Sequence, residues 1–229
     1  SDNVDYYIAN SHNIAERIQR SYGRAADSVI YPPVDTDYFT PAGKPEDFFL
    51  IVTALTPYKK VGLAVEAFNR MKLPLVIIGS GPEEKRLKAA AGPHIQFLGW
   101  QGGGVLREHY QRCRAFVFPA EEDFGIVPLE AQACGRPVIA FGKGGSLETV
   151  VPHLAGYVPP AAASGEKPTG IFFREQTADS LIEAVNVFNK TAVDFDPAAI
   201  RANAVRFSRG ACKEQLKEYI YGKILAAAK

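Results

Sequence analysis

PAEEDFGIVPLEAQACGRPVIAFGKGGSLETVV, running from Pro119 to Val151, is the stretch on which the reading of this chain turns. AFVF, just before it, has the composition of a short buried strand, and the strand's end leaves Glu122 in a loop. A helix is expected to start near Ile126, to tolerate Pro128 in its first turn and to stop at Gly135. PVIAF then reads as a second apolar strand, and the turn GKGGS leads into SLETVV. Strand, helix and strand in this order make a parallel crossover unit. That unit sets Glu122, Glu130 and the glycine pair Gly144–Gly145 near the carboxyl ends of strands, where open parallel sheets take their ligands.

Outward from this stretch the same alternation continues. FFLIVTAL, PLVIIGS and IQFLGW are short, continuously apolar runs, as strands are when helices cover both faces of a sheet. Between them GLAVEAFNRM carries Ala64, Ala67, Phe68 and Met71 on one helical face, and EEKRLKAAAG and VLREHYQRC also read as helices. The expected class is therefore α/β, a Rossmann-like doubly wound parallel sheet. Upstream, Val4–Asn10 reads as a buried strand, followed by a helix over HNIAERIQRSYG and a further run SVIYPPVD. Downstream, His153 to Thr169 reads as a Pro-, Ala- and Gly-rich surface loop. The tail from Asp196 reads as helical, with Phe207, Leu216, Tyr219, Ile220 and Ile224 as its apolar anchors.

Composition narrows the function classes. The chain has 229 residues, 47% hydrophobic and 22% charged, with 26 Lys and Arg against 25 Asp and Glu and a formal net charge of +1. No basic stripe stands out, which argues against nucleic acid as a partner. The three cysteines, Cys113, Cys134 and Cys212, lack metal-ligand spacing and read as free thiols of a reducing compartment. No apolar run reaches the ~20 residues that span a bilayer. A cytoplasmic protein is expected, with peripheral contact to the inner face of the cell membrane left open. The chain opens without Met, directly on a strand-like run, and reads as a piece of a longer protein.

The residues that could carry chemistry fall in four places. Glu122 and Glu130 could accept hydrogen bonds from vicinal hydroxyls of a sugar, at ~1.5–3 kcal/mol each; the same letters also fit a solvated loop acid and a helix acid held by the helix dipole. Gly144, Gly145 and Ser146 could turn backbone N–H groups toward an anion at a helix start, or could form a tight turn with Ser146 as helix cap. Lys59 and Lys60, in TALTPYKKVG, follow a strand and could neutralise a departing diphosphate. Gly81, in GSGP, could admit a planar base or ribose to the backbone, or simply serve its turn. His12, His94, His109 and His153 lie in separate elements with no shared spacing, and Cys134 reads as packing.

Together these residues resemble the group 1, or family four, retaining glycosyltransferases of the GT-B fold. EEDFGIVPLEAQACGRPVIAFGKGGSLETVV looks like that family's Glu-x7-Glu motif and its glycine turn, with ALTPYKK, IGSGPEEKRL and IQFLGW in the family's order. The resemblance implies that Glu130 holds the donor ribose and that Glu122 lies beside the transferred sugar as the catalytic carboxylate. It implies that backbone amides of Phe124, Gly125 and Ile126 contact that sugar. Lys59, Lys60 and the Gly144–Gly145–Ser146 turn would take the diphosphate, while Gly81 and the Trp100 region would border the base. The donor is a substrate, and the resemblance implies neither cofactor nor metal. EDFGI with ALTPYKK looks like bacterial mannosyltransferases of polysaccharide assembly, which implies GDP-mannose and a glycan or lipid-linked acceptor.

Three departures bear on these expectations. Many relatives have Arg five residues before the site lysine, where this chain has Ala54. QGGGV, Gln101 to Val105, puts glycines where polar capping residues are usual. The acceptor domain is expected to be represented only by its last portion and a hinge within residues 1–40, ahead of a donor-binding domain at 41–190 and a helical segment at 191–229. An alternative reading is a non-catalytic nucleotide-sugar-binding module; a dehydrogenase is a third, against which the absence of GxGxxG counts.

Overall fold

A computed structural model describes residues 3–165 and 167–227. Its chain order begins with β1 (Ile8–Ala9), α1 (His12–Tyr22) and β2 (Ser28–Val29), where β1 and β2 form a small parallel pair. The main unit follows as β3 (Phe49–Val52), α2 (Val61–Met71), β4 (Leu75–Ile78), α3 (Glu84–Ala90), β5 (Ile95–Gly99) and α4 (Gly103–Arg112). It continues through β6 (Ala115–Phe118), α5 (Ile126–Ala133), β7 (Val138–Phe141), α6 (Ser146–Thr149), β8 (Gly170–Phe173) and α7 (Ala178–Thr191). Helices α8 (Pro197–Val205) and α9 (Arg209–Ala227) close the chain.

The six strands β3 to β8 form one sheet in the order β5-β4-β3-β6-β7-β8, every pair parallel. Counting from β3, this is the order 3-2-1-4-5-6 of a doubly wound sheet, whose switch point lies between β3 and β6. The expected α/β class holds. Strand alternation divides the core in two. Phe49, Ile51, Ala115, Val117, Ile139 and Phe173 pack with α2 and α7, while Leu50, Phe116, Phe118, Val138 and Phe172 pack with α4, α5 and α8. Outer strand β8 is partly covered by an antiparallel bridge from Tyr157 to Phe172, so the expected surface loop also shields a sheet edge.

Two upstream and downstream expectations are corrected. Val4–Asn10 is not a buried strand: only Ile8–Ala9 pairs, and Val4, Tyr6 and Ile8 are exposed. Its apolar letters face solvent because a two-stranded ribbon has too little sheet to bury them. In the tail, Phe207 is buried against Tyr31 and Phe124, but Leu216, Ile220 and Ile224 are exposed along α9. Helix α8 is the part that joins the core, through Ile200 and Ala204. Asn203 fixes it there, donating to Gln132 Oε1 at 2.7 Å and to the Thr149 carbonyl at 2.8 Å.

Candidate active site at the sheet switch point

Two loops leave the sheet at the switch point. After β3, Thr56 and Pro57 begin a short 3-10 turn, Pro57–Lys59, because proline presets the first-turn φ and needs no amide donor. The turn ends at Lys60 in left-handed backbone, φ 56°, which also opens α2. After β6, Pro119 to Asp123 cross the strand ends, and Gly125, φ 88°, reverses the chain into α5. The α5 start at Ile126, the tolerated Pro128 and left-handed Gly135 just past the helix all match the sequence reading. No side chain caps the α5 N-terminus, so its first amides are left for another partner.

These loops face each other across a crevice of about 590 Å³ lined by Tyr58, Lys59, Glu122, Phe124, Gly125 and Ile126, with Asn10 and Pro32 from the N-terminal segment. Lys59 Nζ donates to Glu122 Oε1, joining residues 63 positions apart in sequence. Both side chains are mostly shielded, at 14% and 25% exposure. Tyr58 supports the lysine, whose ammonium lies 4.9 Å from its ring centre. Phe124 itself is buried and stacked on Tyr31 at 5.4 Å, so that its backbone is held at the crevice wall. Lys60 does not share this crevice; its exposed side chain lines a neighbouring one of about 390 Å³ with Arg17, Arg20 and Glu121. The left-handed turn at Lys60 sends successive side chains in different directions.

The glycine turn lies directly behind Glu122 and Phe124. The Gly145 amide donates to the Glu122 carbonyl at 2.8 Å, so it is not a free anion donor as expected; Gly144 is partly exposed, and Ser146 is buried. A Cβ on Gly144 would lie 2.4 Å from the Glu122 carbonyl oxygen, and one on Gly145 2.2 Å from Phe124 Cα. These glycines are needed first for loop-on-loop contact. Ser146 is no cap either: Gly145 holds the cap position, and the Ser146 hydroxyl is buried, its one proton shared between the Phe141 carbonyl at 2.7 Å and the Lys143 carbonyl at 2.9 Å. Helix α6 is only four residues long, so its dipole is weak.

Glu130 lies one turn into α5 and is half-buried. Its Oε2 accepts from the Tyr110 hydroxyl on α4 at 2.9 Å. Burial pushes the Glu130 carboxyl up to about 7, with the Tyr110 bond pulling the other way. Of the expected site residues, Glu130, the Gly144–Gly145–Ser146 turn, Gly81 and Trp100 line neither crevice. A Cβ on Gly81 would come within 2.5 Å of the Leu55 carbonyl oxygen, so this glycine admits the chain's own backbone. Trp100, 77% exposed, follows β5 at the outer side of the sheet.

Sequence reasoning missed the residues that hold the site together. Tyr110 sat unremarked in a helical run. Glu148, on α6, accepts from the His12 and Asn13 amides at the start of α1 and from the Tyr31 hydroxyl. It thereby ties the N-terminal segment to the glycine turn. Arg17 on α1 pairs with Asp123 across the same seam. Nothing in the spacing of these letters marks partners 106 to 136 positions away.

Residues 37–190 match the family described as Glycosyl transferases group 1. The chain is 31% identical to a D-inositol 3-phosphate glycosyltransferase of Geodermatophilus obscurus, over 79% of this chain and 52% of the relative. It is 30% identical to a GDP-mannose-dependent alpha-(1-6)-phosphatidylinositol monomannoside mannosyltransferase of Mycobacterium tuberculosis, over 69% of this chain and 49% of that one. The chain thus spans about half the length of these curated relatives. Among solved structures, the sucrose-phosphate synthase of Thermosynechococcus elongatus superposes with a TM-score of 0.80 at 21% identity, over 98% of this chain and 59% of that one. Anabaena HepE in complex with UDP-glucose superposes with a TM-score of 0.76 at 20% identity, over 96% and 64%. With the switch-point sheet, the paired loops and the family match over residues 37–190, the chain belongs to the group 1 glycosyl transferases.

Proposed function

We propose that this chain forms the donor-binding half of a hexosyltransferase that uses a nucleotide sugar. The observation that carries the reading is the convergence of Lys59, Glu122 and the uncapped α5 N-terminus on one crevice at the sheet switch point. A diphosphate leaving group develops charge as the glycosidic bond breaks, and a cation with free amides in a partly dry crevice is suited to receive it. Lys59 is the nearer cation; Lys60, in the adjoining crevice, adds to the field. Glu122, turned from its lysine toward the sugar, would hold hydroxyls of the transferred hexose. The amides of Phe124, Gly125 and Ile126 line the same wall. Glu130 accepts from the donor ribose.

The sugar proposed is mannose from GDP-mannose, supported by the EDFGI and ALTPYKK segments and by the mannosyltransferase relative. Transfer with retention to a glycan or lipid-linked acceptor belongs to the same proposal, as does a place at the inner face of the membrane. Among the described residues no helix is long and apolar enough to cross a bilayer.

The test is calorimetric titration with GDP, UDP and ADP, then with the sugar form of whichever binds. The proposal expects GDP to bind most tightly and Glu130→Gln to weaken it about tenfold or more. Equal affinity for the three bases would overturn the GDP assignment. Affinity unmoved by Glu130→Gln would overturn the ribose role.

A further inference from the structure

Tyr110 is fully buried, its ring edge-on to Phe39 at 5.6 Å and tilted against Phe116 at 5.7 Å. Phenylalanine would fill this apolar setting without a polar atom to satisfy, and a buried hydroxyl without a partner is costly. The partner here is Glu130 Oε2, 2.9 Å away on the next helix. The bond takes one carboxylate oxygen, fixes the rotation of the group and leaves Oε1 to accept from a ligand. We propose that Tyr110 is a positioning residue for the donor site, holding Glu130 in the orientation and the ionised form that a vicinal diol requires. This rests on the reading of Glu130 as the ribose acceptor.

The chemistry around the pair isolates the effect. Cys134, four residues beyond Glu130 at the C-terminal cap of α5, and Cys113, beside Tyr110, are both held neutral by burial, with Cys134 pushed up to about 12. Arg136 and Arg201 act on Cys134, and so does Arg107, which also lies over the Tyr38 ring. Both thiols stay protonated through neutrality, whereas Glu130, raised to about 7 by burial, titrates there. A donor to the carboxylate lowers that value, so removing the hydroxyl raises it further. Binding that needs the carboxylate should then begin at higher pH.

The experiment is Tyr110→Phe, read two ways. Carbon-13 NMR of labelled glutamate carboxyls, with Glu130 assigned through Glu130→Gln, follows its titration without ligand. Calorimetry with GDP and UDP from pH 6 to 9 follows binding, and Glu130→Gln supplies the profile of the nucleotide's own phosphates. The midpoint is expected to rise by about one pH unit, with affinity about fivefold weaker at pH 7 and recovering toward pH 9. Incorporation of 3-fluorotyrosine at position 110, a stronger donor of nearly the same size, is expected to move the midpoint down. An unchanged midpoint, or a loss of affinity uniform with pH, would overturn the proposal. If Glu130→Gln leaves nucleotide affinity intact, the ribose reading fails instead, while the NMR midpoint still decides what Tyr110 does to Glu130.

Discussion

Lys59 and Glu122 meet as an ion pair across the switch point of the sheet, each carried by the loop that follows one of the two central strands. The cation is therefore already neutralised in the free protein, and on the proposed reading a diphosphate would compete with Glu122 for it. Because the pair is shielded, the cost of taking two charges out of water offsets most of their attraction, and its net worth is small, about 1 kcal/mol or less. Glu122→Gln is expected to raise affinity for the bare nucleoside diphosphate about two- to fivefold while weakening the intact sugar nucleotide. Lys59→Gln should weaken both about tenfold. Calorimetry on the two variants with both ligands checks the division; a loss of diphosphate affinity in Glu122→Gln would contradict it.

The Glu130 carboxyl carries a second, unliganded prediction. Its folded value, about 7, lies above the ordinary carboxylate value of 4.5. A raised value means that the folded state favours the proton: stability from this group is full below pH ~4.5 and falls as pH rises through 7. Glu130→Gln keeps an acceptor for Tyr110 and removes the buried charge. It should stabilise the free protein by about 3 kcal/mol at pH 8 and leave it nearly unchanged at pH 4. Denaturant unfolding at the two pH values gives the comparison, and equal shifts at both would count against it.

Glycines separate into those the tertiary structure demands and those it does not. Gly145→Ala would drive a Cβ into the Phe124 backbone, which cannot yield as a side chain end can. The expected cost is about 1–3 kcal/mol, with sugar-nucleotide binding lost as the two loops part. Gly104, on α4, has open space around its Cβ position. Gly104→Ala should stabilise the chain by about 0.5–1 kcal/mol through helix propensity alone. Thermal unfolding of the pair distinguishes the two cases.

Apolar letters in the tail divide in the same way. Phe207→Ala opens a hole against Tyr31 and Phe124 and should cost about 3–5 kcal/mol. Ile220→Lys, on the exposed face of α9, should change stability by no more than ~0.5 kcal/mol in this chain. A large loss on Ile220→Lys in denaturant melts would show that the face is covered in solution.

The doubly wound sheet was legible because its signals are local. Continuous apolar runs such as Phe49–Val52 and Val138–Phe141, spaced by helix-period segments, require no knowledge of partners. The loop carrying Glu122 and the start of α5 at Ile126 were readable for the same reason, from the glycine and proline that set the backbone there. The expected roles of the Gly145 amide and the Ser146 cap were not, since both depend on what lies against the turn. Leu216, Ile220 and Ile224 misled because apolar spacing along a helix specifies a face and says nothing of what covers it.

By itself the sequence determined the order of strands and helices from β3 to α6, and with it the loops that carry the candidate site, because backbone preference and hydrophobic period act within a few residues of chain; β8 and α7 went unread. Only the tertiary structure decided the pairings. Lys59 reaches Glu122, Tyr110 reaches Glu130, and Glu148 reaches Tyr31 and the start of α1, over separations of 20 to 136 positions. Such contacts are fixed by strand order and helix packing, since a side chain's partner is whatever the folded sheet brings within about 3 Å, and no local pattern encodes that distance.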